Sequence, residues 1–172
     1  MISPNLEEIS NQLESPKLSA RILALANLHD VSPKDAILLI KKVLADDSLQ
    51  VRSIAAFILG LKKELESYEL LIRILESEKD YNIRDDAIGA LGYLGDVRAF
   101  EPLSRIFYED TNWLIRFSVT VSLGNLQCPR AHDILVQALR SKEVVIQQAA
   151  IAALGEIQGI DTVDHTSPVC SI

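Results

Sequence analysis

Aromatic side chains are scarce in this chain of 172 residues, which has four Phe, four Tyr and one Trp. Glycine and proline are scarce too, at seven and six, fewer than a turn-rich β-sandwich needs. Only two cysteines occur, Cys128 and Cys170, too few for a disulfide framework. Three scattered histidines do not complete a zinc site with them. No apolar run approaches the roughly 20 residues of a membrane span, so no membrane insertion is expected. Residues Met1 to Asn11 have neither the basic flank nor the apolar core of a secretory leader. An excess of positive charge is also lacking. The net charge is −7 and both halves are acidic, which speaks against nucleic acid or an anionic membrane surface as a partner. The expected compartment is cytoplasmic.

What the chain does have is aliphatic mass, with 48% hydrophobic residues. It is organised as an internal repeat. Asp46 to Gly60, Glu78 to Gly92 and Asp110 to Gly124 align without gaps at a step of 32 residues, and Gly155 follows Gly124 by 31. Arg52, Arg84 and Arg116 keep the same step. Each copy holds two helical stretches. In the first, helix A, Val51, Ala55, Ile58 and Leu59 fall on one face at i, i+4, i+7 and i+8. Ser48, Asp80 and Asn112 stand where an N-cap is needed. In the second, helix B, Pro33, Pro102 and Pro129 fall in the first turn, where a missing N–H costs little.

The frame predicts a single domain over residues 1–158. It opens with a half-repeat at 4–14 and continues with full repeats at about 15–45, 46–77, 78–109 and 110–141. A final A helix follows at 144–158, and residues 159–172 are expected to form a mobile tail. Short alternating helices at this period predict an all-α fold, an α-solenoid of roughly ten helices stacked as antiparallel pairs. Such a core is built from Leu, Ile, Val and Ala columns and needs few aromatics.

Val51-Arg52, Ala87 to Asp96 and Arg98-Ala99-Phe100-Glu101-Pro102-Leu103 resemble HEAT-like repeats. The short period resembles the variety named after phycobilisome lyases, which attach or remove bilin chromophores on phycobiliproteins. The run Phe107 to Phe117 is most similar to small lyase-related proteins of phycobilisome degradation. The resemblance covers residues 15–158 and implies phycobiliprotein subunits as partners, with a bilin as a transient ligand and no tightly bound cofactor. Some lyase subunits carry an adjacent His-Cys pair, and this chain has none.

Residues that depart from their column are the candidate site residues. Trp113 and Phe117 lie one helical turn apart, and Phe117 shares a column with Ser53 and Asp85. With Tyr108 just upstream they form either an aromatic contact patch or local packing. Cys128 aligns with Asp96 at the start of a B helix, where a thiolate is favoured; it is either a reactive thiol or an ordinary loop residue. Asp86 is expected to pair with a repeat arginine, Arg52 or Arg116; an acid near a bilin nitrogen is the alternative. Arg84 and Arg116 complete the candidate binding set. His132 and the other histidines show no metal-ligand spacing. The B helices carry charge ladders in which Glu69–Arg73 and Glu101–Arg105 are expected i, i+4 pairs.

Two functions fit this sequence. One is a binding protein that engages phycobiliproteins and assists bilin removal or transfer, with its catalytic residues, if any, not legible. The other is a non-catalytic HEAT-repeat scaffold for a different protein. An enzyme acting on nucleic acid would need a basic groove. The last A helix lacks a B partner, so Val144 and Val145 are expected to expose apolar surface for self-association or a partner chain.

Overall fold

Asn5 shows how local sequence sets each element: its side-chain oxygen accepts from the backbone N–H of Glu7 and Glu8 at 3.2 and 3.3 Å. Those two acids also sit in the first turn, where the helix dipole favours negative charge. The computed structural model describes residues 5–161, and side-chain surroundings as far as Ile157. Every regular element among them is helical, and the fold is an all-α solenoid of helix pairs. In chain order the α-helices are α1 (Leu6–Leu13), α2 (Leu18–Asn27), α3 (Pro33–Ile40), α4 (Leu49–Lys62) and α5 (Leu65–Ser77). They continue with α6 (Tyr81–Leu94), α7 (Phe100–Glu109), α8 (Trp113–Asn125), α9 (His132–Ala138) and α10 (Val144–Asp161). Single 3-10 turns follow α2 and α3 and precede α7 and α9. Pro4 and residues 162–172, including most of the expected tail, lie outside the described residues.

The chain divides into two compact units that part between Ala90 and Leu91, inside α6. In the first unit α1 packs on α2 and α3, while α4 packs on α2, α3 and α5. Val51, Ala55, Ile58 and Leu59 of α4 are buried, so the face read from the sequence is the packed one. Leu13, Leu25, Leu28, Ile37, Leu59 and Leu71 are fully buried around it. In the second unit α8 packs on α7, α9 and α10, and α9 packs on α10. Leu91, Leu103, Ile115 and Leu135 are buried there, with Phe107 beside them.

The glycine column has a steric cause. A Cβ at Gly60 would meet the Ala90 carbonyl oxygen at 2.8 Å, and one at Gly92 would meet Ser122 at 2.8 Å. The last copy, Gly155, has nothing within 4 Å, consistent with α10 being the final described helix. A second column closes the A helices. Lys63, Gly95 and Gln127, each 32 apart, take positive φ of 49°, 72° and 49° after α4, α6 and α8. This left-handed residue ends the helix, and only one of the three is the glycine that adopts it without strain.

Several local expectations change. Ser48 occupies the N-cap of α4 but its side chain makes no capping bond, whereas Asp80 Oδ1 accepts from Asn82 N and Asn112 Oδ1 from Leu114 N. Helix α10 runs to Asp161, three residues past the expected 158, because neither Gly155 nor Gly159 stops it. Glu101 pairs with Arg130 of the next repeat rather than with Arg105.

Candidate ligand-binding site

Each A helix is preceded by the same small turn. A side-chain oxygen at its first residue accepts from the backbone N–H two residues on. Asp46 binds Ser48 N at 2.9 Å, Glu78 binds Asp80 N at 3.2 Å and Asp110 binds Asn112 N at 2.9 Å. At the two ends of the series a serine does this, with Ser15 taking Lys17 N at 3.2 Å and Ser141 taking Glu143 N at 3.4 Å. Serine keeps the turn but carries no charge.

The charge matters to the arginine of the preceding A helix. Arg21, at the fourth position of α2, binds Asp46 at 2.9 Å and also Asp47, with the Arg21 and Asp46 side chains almost wholly buried. Arg52, at the same position of α4, binds Glu78 at 2.9 Å. Each also donates to the backbone carbonyl six residues earlier, Arg21 to Ser15 O at 2.9 Å and Arg52 to Asp46 O at 2.6 Å. Such charge-assisted, multiply bonded pairs are the strong class of ion pair. Burial alone would raise the Glu78 carboxyl. The hydrogen bond from Arg52 and the backbone N–H groups of Asp80 and Lys79 outweigh it and hold the group below its usual range. Arg21 belongs to this ladder, and the sequence reading missed it, although it stands 31 residues before Arg52.

Arg116 is at the fourth position of α8 and lies within the second unit. The turn that would answer it starts at Ser141, not at an acid. Among the described residues its side chain makes no hydrogen bond and no ion pair, and its Nε is buried without a partner. The guanidinium instead lies over the Phe107 ring, 5.0 Å from the centroid. Gln147 replaces the arginine on α10 and donates to Ser141 O at 2.7 Å, repeating the carbonyl bond of Arg21 and Arg52 without the charge.

Around Arg116 is an open cavity of about 830 Å³. The exposed Tyr108 ring lines it, edge-on to the buried Phe107 ring at 5.4 Å, and Arg140 and Lys142 add positive charge. Three acids also line it. Asp110 accepts from Asn112 N, Asp133 is fully exposed beside His132, and Glu143 accepts from Ser141 Oγ at 2.6 Å. That last bond, with a smaller contribution from the nearby Arg116 and Lys142 charges, lowers the Glu143 carboxyl below its usual value.

The cavity thus brings together two of the sequence candidates, Tyr108 and Arg116. Trp113 and Phe117 do not line it: Trp113 is 51% exposed on the first turn of α8, and Phe117 is half-buried. Cys128 is fully buried, and unlike Asp96 in the same column its side chain makes no capping hydrogen bond. Arg84 and Asp86 belong to the first unit. Arg84 lies over the Tyr81 ring at 5.8 Å. The expected pairing of Asp86 with Arg52 is not formed: Asp86 accepts from the Ser53 hydroxyl, because Arg52 is committed to Glu78. Val144 and Val145 are exposed at the start of α10. No group of acids, histidines or cysteines able to hold a metal occurs among the described residues. No described helix is long and apolar enough to cross a membrane.

Comparison with known proteins agrees with this architecture. The model of HEAT repeats matches residues 37–124, and the model of the PBS lyase HEAT-like repeat matches residues 115–141. No curated protein sequence matches the chain. One similar solved structure is the complex of CpcE and CpcF of phycocyanin lyase from Nostoc sp. PCC7120, with a TM-score of 0.75 and 22% identity over 91% of this chain. Another is the Escherichia coli protein YibA, with a TM-score of 0.64 and 20% identity over 95% of this chain. At these identities the likeness is one of fold. The chain covers 66% and 61% of those two structures. With a repeat model spanning half its length and the helix pairs in place, the chain belongs to the HEAT-repeat family, and its fourth repeat is of the phycobilisome-lyase type.

Proposed function

We propose that this chain is a HEAT-repeat binding protein that engages phycobiliprotein subunits in the cytoplasm and assists removal or transfer of their bilins. One observation carries the reading. The lyase-type repeat at 115–141 is the segment that supplies Arg116, Asp133, Arg140 and Ser141 to the cavity. The likeness of fold to a phycocyanin lyase complex supports it. A bilin would be a transient ligand, and the chain acts by binding rather than through a nucleophile of its own.

The test is to mix purified chain with phycobiliprotein and follow both by size-exclusion chromatography and visible absorbance. Co-elution with a changed chromophore spectrum is the expected result. Separate elution with an unchanged spectrum overturns the reading. A second reading, a scaffold for an unrelated protein, is favoured by the exposure of Trp113 outside the cavity. In that case the chain retains a partner other than a phycobiliprotein, and Trp113→Ala weakens its capture.

A further inference from the structure

Counting from the repeat arginine gives the A helices a common face. Four residues after Arg21, Arg52, Arg84 and Arg116 stand Leu25, Ala56, Ile88 and Thr120, and none of these four has any exposed surface. Eight residues after Arg52, Arg84 and Arg116 stand Gly60, Gly92 and Gly124. A Cβ on these glycines would collide with Ala90, Ser122 and Ala153 of the following A helix. On α10 the arginine position is held by Gln147, so the same face consists of Ile151 and Gly155. Ile151 is 64% exposed, and a Cβ at Gly155 would meet nothing within 4 Å. The face that the earlier A helices bury is open on α10.

Its composition is that of a covered surface. Val144, Val145 and Ala152 are exposed on the same helix, and Glu156 is the one charged residue from Val144 to Ile157. An apolar centre depleted of charge is the mark of an interface core. The face is also complementary to itself. Ile151 is a branched knob and Gly155 a gap, one helical turn apart. Two α10 helices packed antiparallel about a two-fold axis seat each Ile151 over the other Gly155. The A helix α2 does not offer the same complement. Its Asn27, six residues after Arg21, stands in the column of Ala90, Ser122 and Ala153, and it lines a polar cleft with Glu8, Gln12 and Asp30. A head-to-tail contact would press that polar, acidic surface against an apolar one.

We propose that the open face of α10 is a homodimer interface, in which a second copy of the chain continues the A-on-A packing of the solenoid and each Ile151 fills the gap at the other Gly155. The inference goes beyond the proposed function and does not depend on it, since no ligand and no phycobiliprotein takes part.

Sedimentation of the full chain over a wide range of concentration, up to high micromolar, is the test. The mass is expected to rise reversibly from the 19.0 kDa of one chain to twice that value. Ile151→Lys places a charge at the centre of the face, and Gly155→Gln fills the gap. Each is expected to weaken dimerisation at least tenfold. Both positions are open in the single chain, so both variants keep its helical circular dichroism. Leu65→Lys, at an exposed leucine of α5, is the control and leaves the dimer unchanged. The inference is overturned if the wild type stays at the mass of one chain, or if either α10 variant dimerises as the wild type does. Loss of the dimer in Leu65→Lys as well would show unspecific apolar association, and growth beyond two chains would show head-to-tail assembly; each of these also overturns it.

Discussion

A Cβ added at Gly124 would lie 2.6 Å from the Cβ of Ala153, closer than side chains in folded proteins approach. Helices α8 and α10 therefore touch backbone to side chain at this point, and the contact is set by the absence of one methyl group. Gly124→Ala is expected to destabilise the chain by about 1–3 kcal/mol through overpacking. Gly155→Ala, at the next position of the column, meets open space and is expected to be neutral or to stabilise by about 0.5–1 kcal/mol through helix propensity. Urea unfolding of the pair checks both signs.

Gln127 ends α8 with φ of 49°, in the region that glycine occupies at Gly95. Gln127→Gly removes the clash of its Cβ with the backbone and is expected to stabilise by about 1 kcal/mol, less the entropy that glycine adds to the unfolded chain. A melting temperature that falls instead would mean that the Gln127 side chain contributes more than its backbone costs.

The Arg52–Glu78 pair makes stability depend on pH in a definite direction. Arg52 and the backbone N–H groups of Asp80 and Lys79 hold the folded carboxyl below the usual 4.5 of a glutamate. Its stabilisation is therefore complete above that value and is lost as pH falls through the lower, folded pKa. Glu78→Gln is expected to cost about 1–2 kcal/mol at neutral pH and to flatten the acid limb of the stability curve. An unchanged acid limb would show that the pair does not titrate with folding.

Much of this architecture is legible in the sequence. The glycine and arginine columns give the period, and the apolar face of α4 is the one the spacing predicts. What was not legible has physical causes. Arg21 stands 31 residues before Arg52 instead of 32, because the first repeat is irregular, and this hides its place in the column. The pairing of Asp86 with Ser53 could not be read, because it depends on Arg52 being already bound to Glu78. The aromatic residues drew attention to Trp113 and Phe117, yet the cavity is marked by a loss. The replacement of an acid by Ser141 is a quiet change in sequence, and it becomes visible only when Arg116 is seen beside it without a carboxylate.

Trp113 lies outside the cavity. It is half-exposed, so Trp113→Ala is expected to change stability by less than about 1 kcal/mol. Capture of a protein partner that meets this side chain falls at least tenfold in the variant, and unchanged capture would show that Trp113 makes no contact with it.

The most direct measurement is a titration of a bilin-bearing phycobiliprotein subunit with this chain, read by the fluorescence of the chromophore. A saturable change with the wild type, weakened at least tenfold by Arg116→Gln, is the expected result. Chromophore fluorescence that stays constant to a large excess of the wild-type chain would contradict phycobiliprotein engagement altogether.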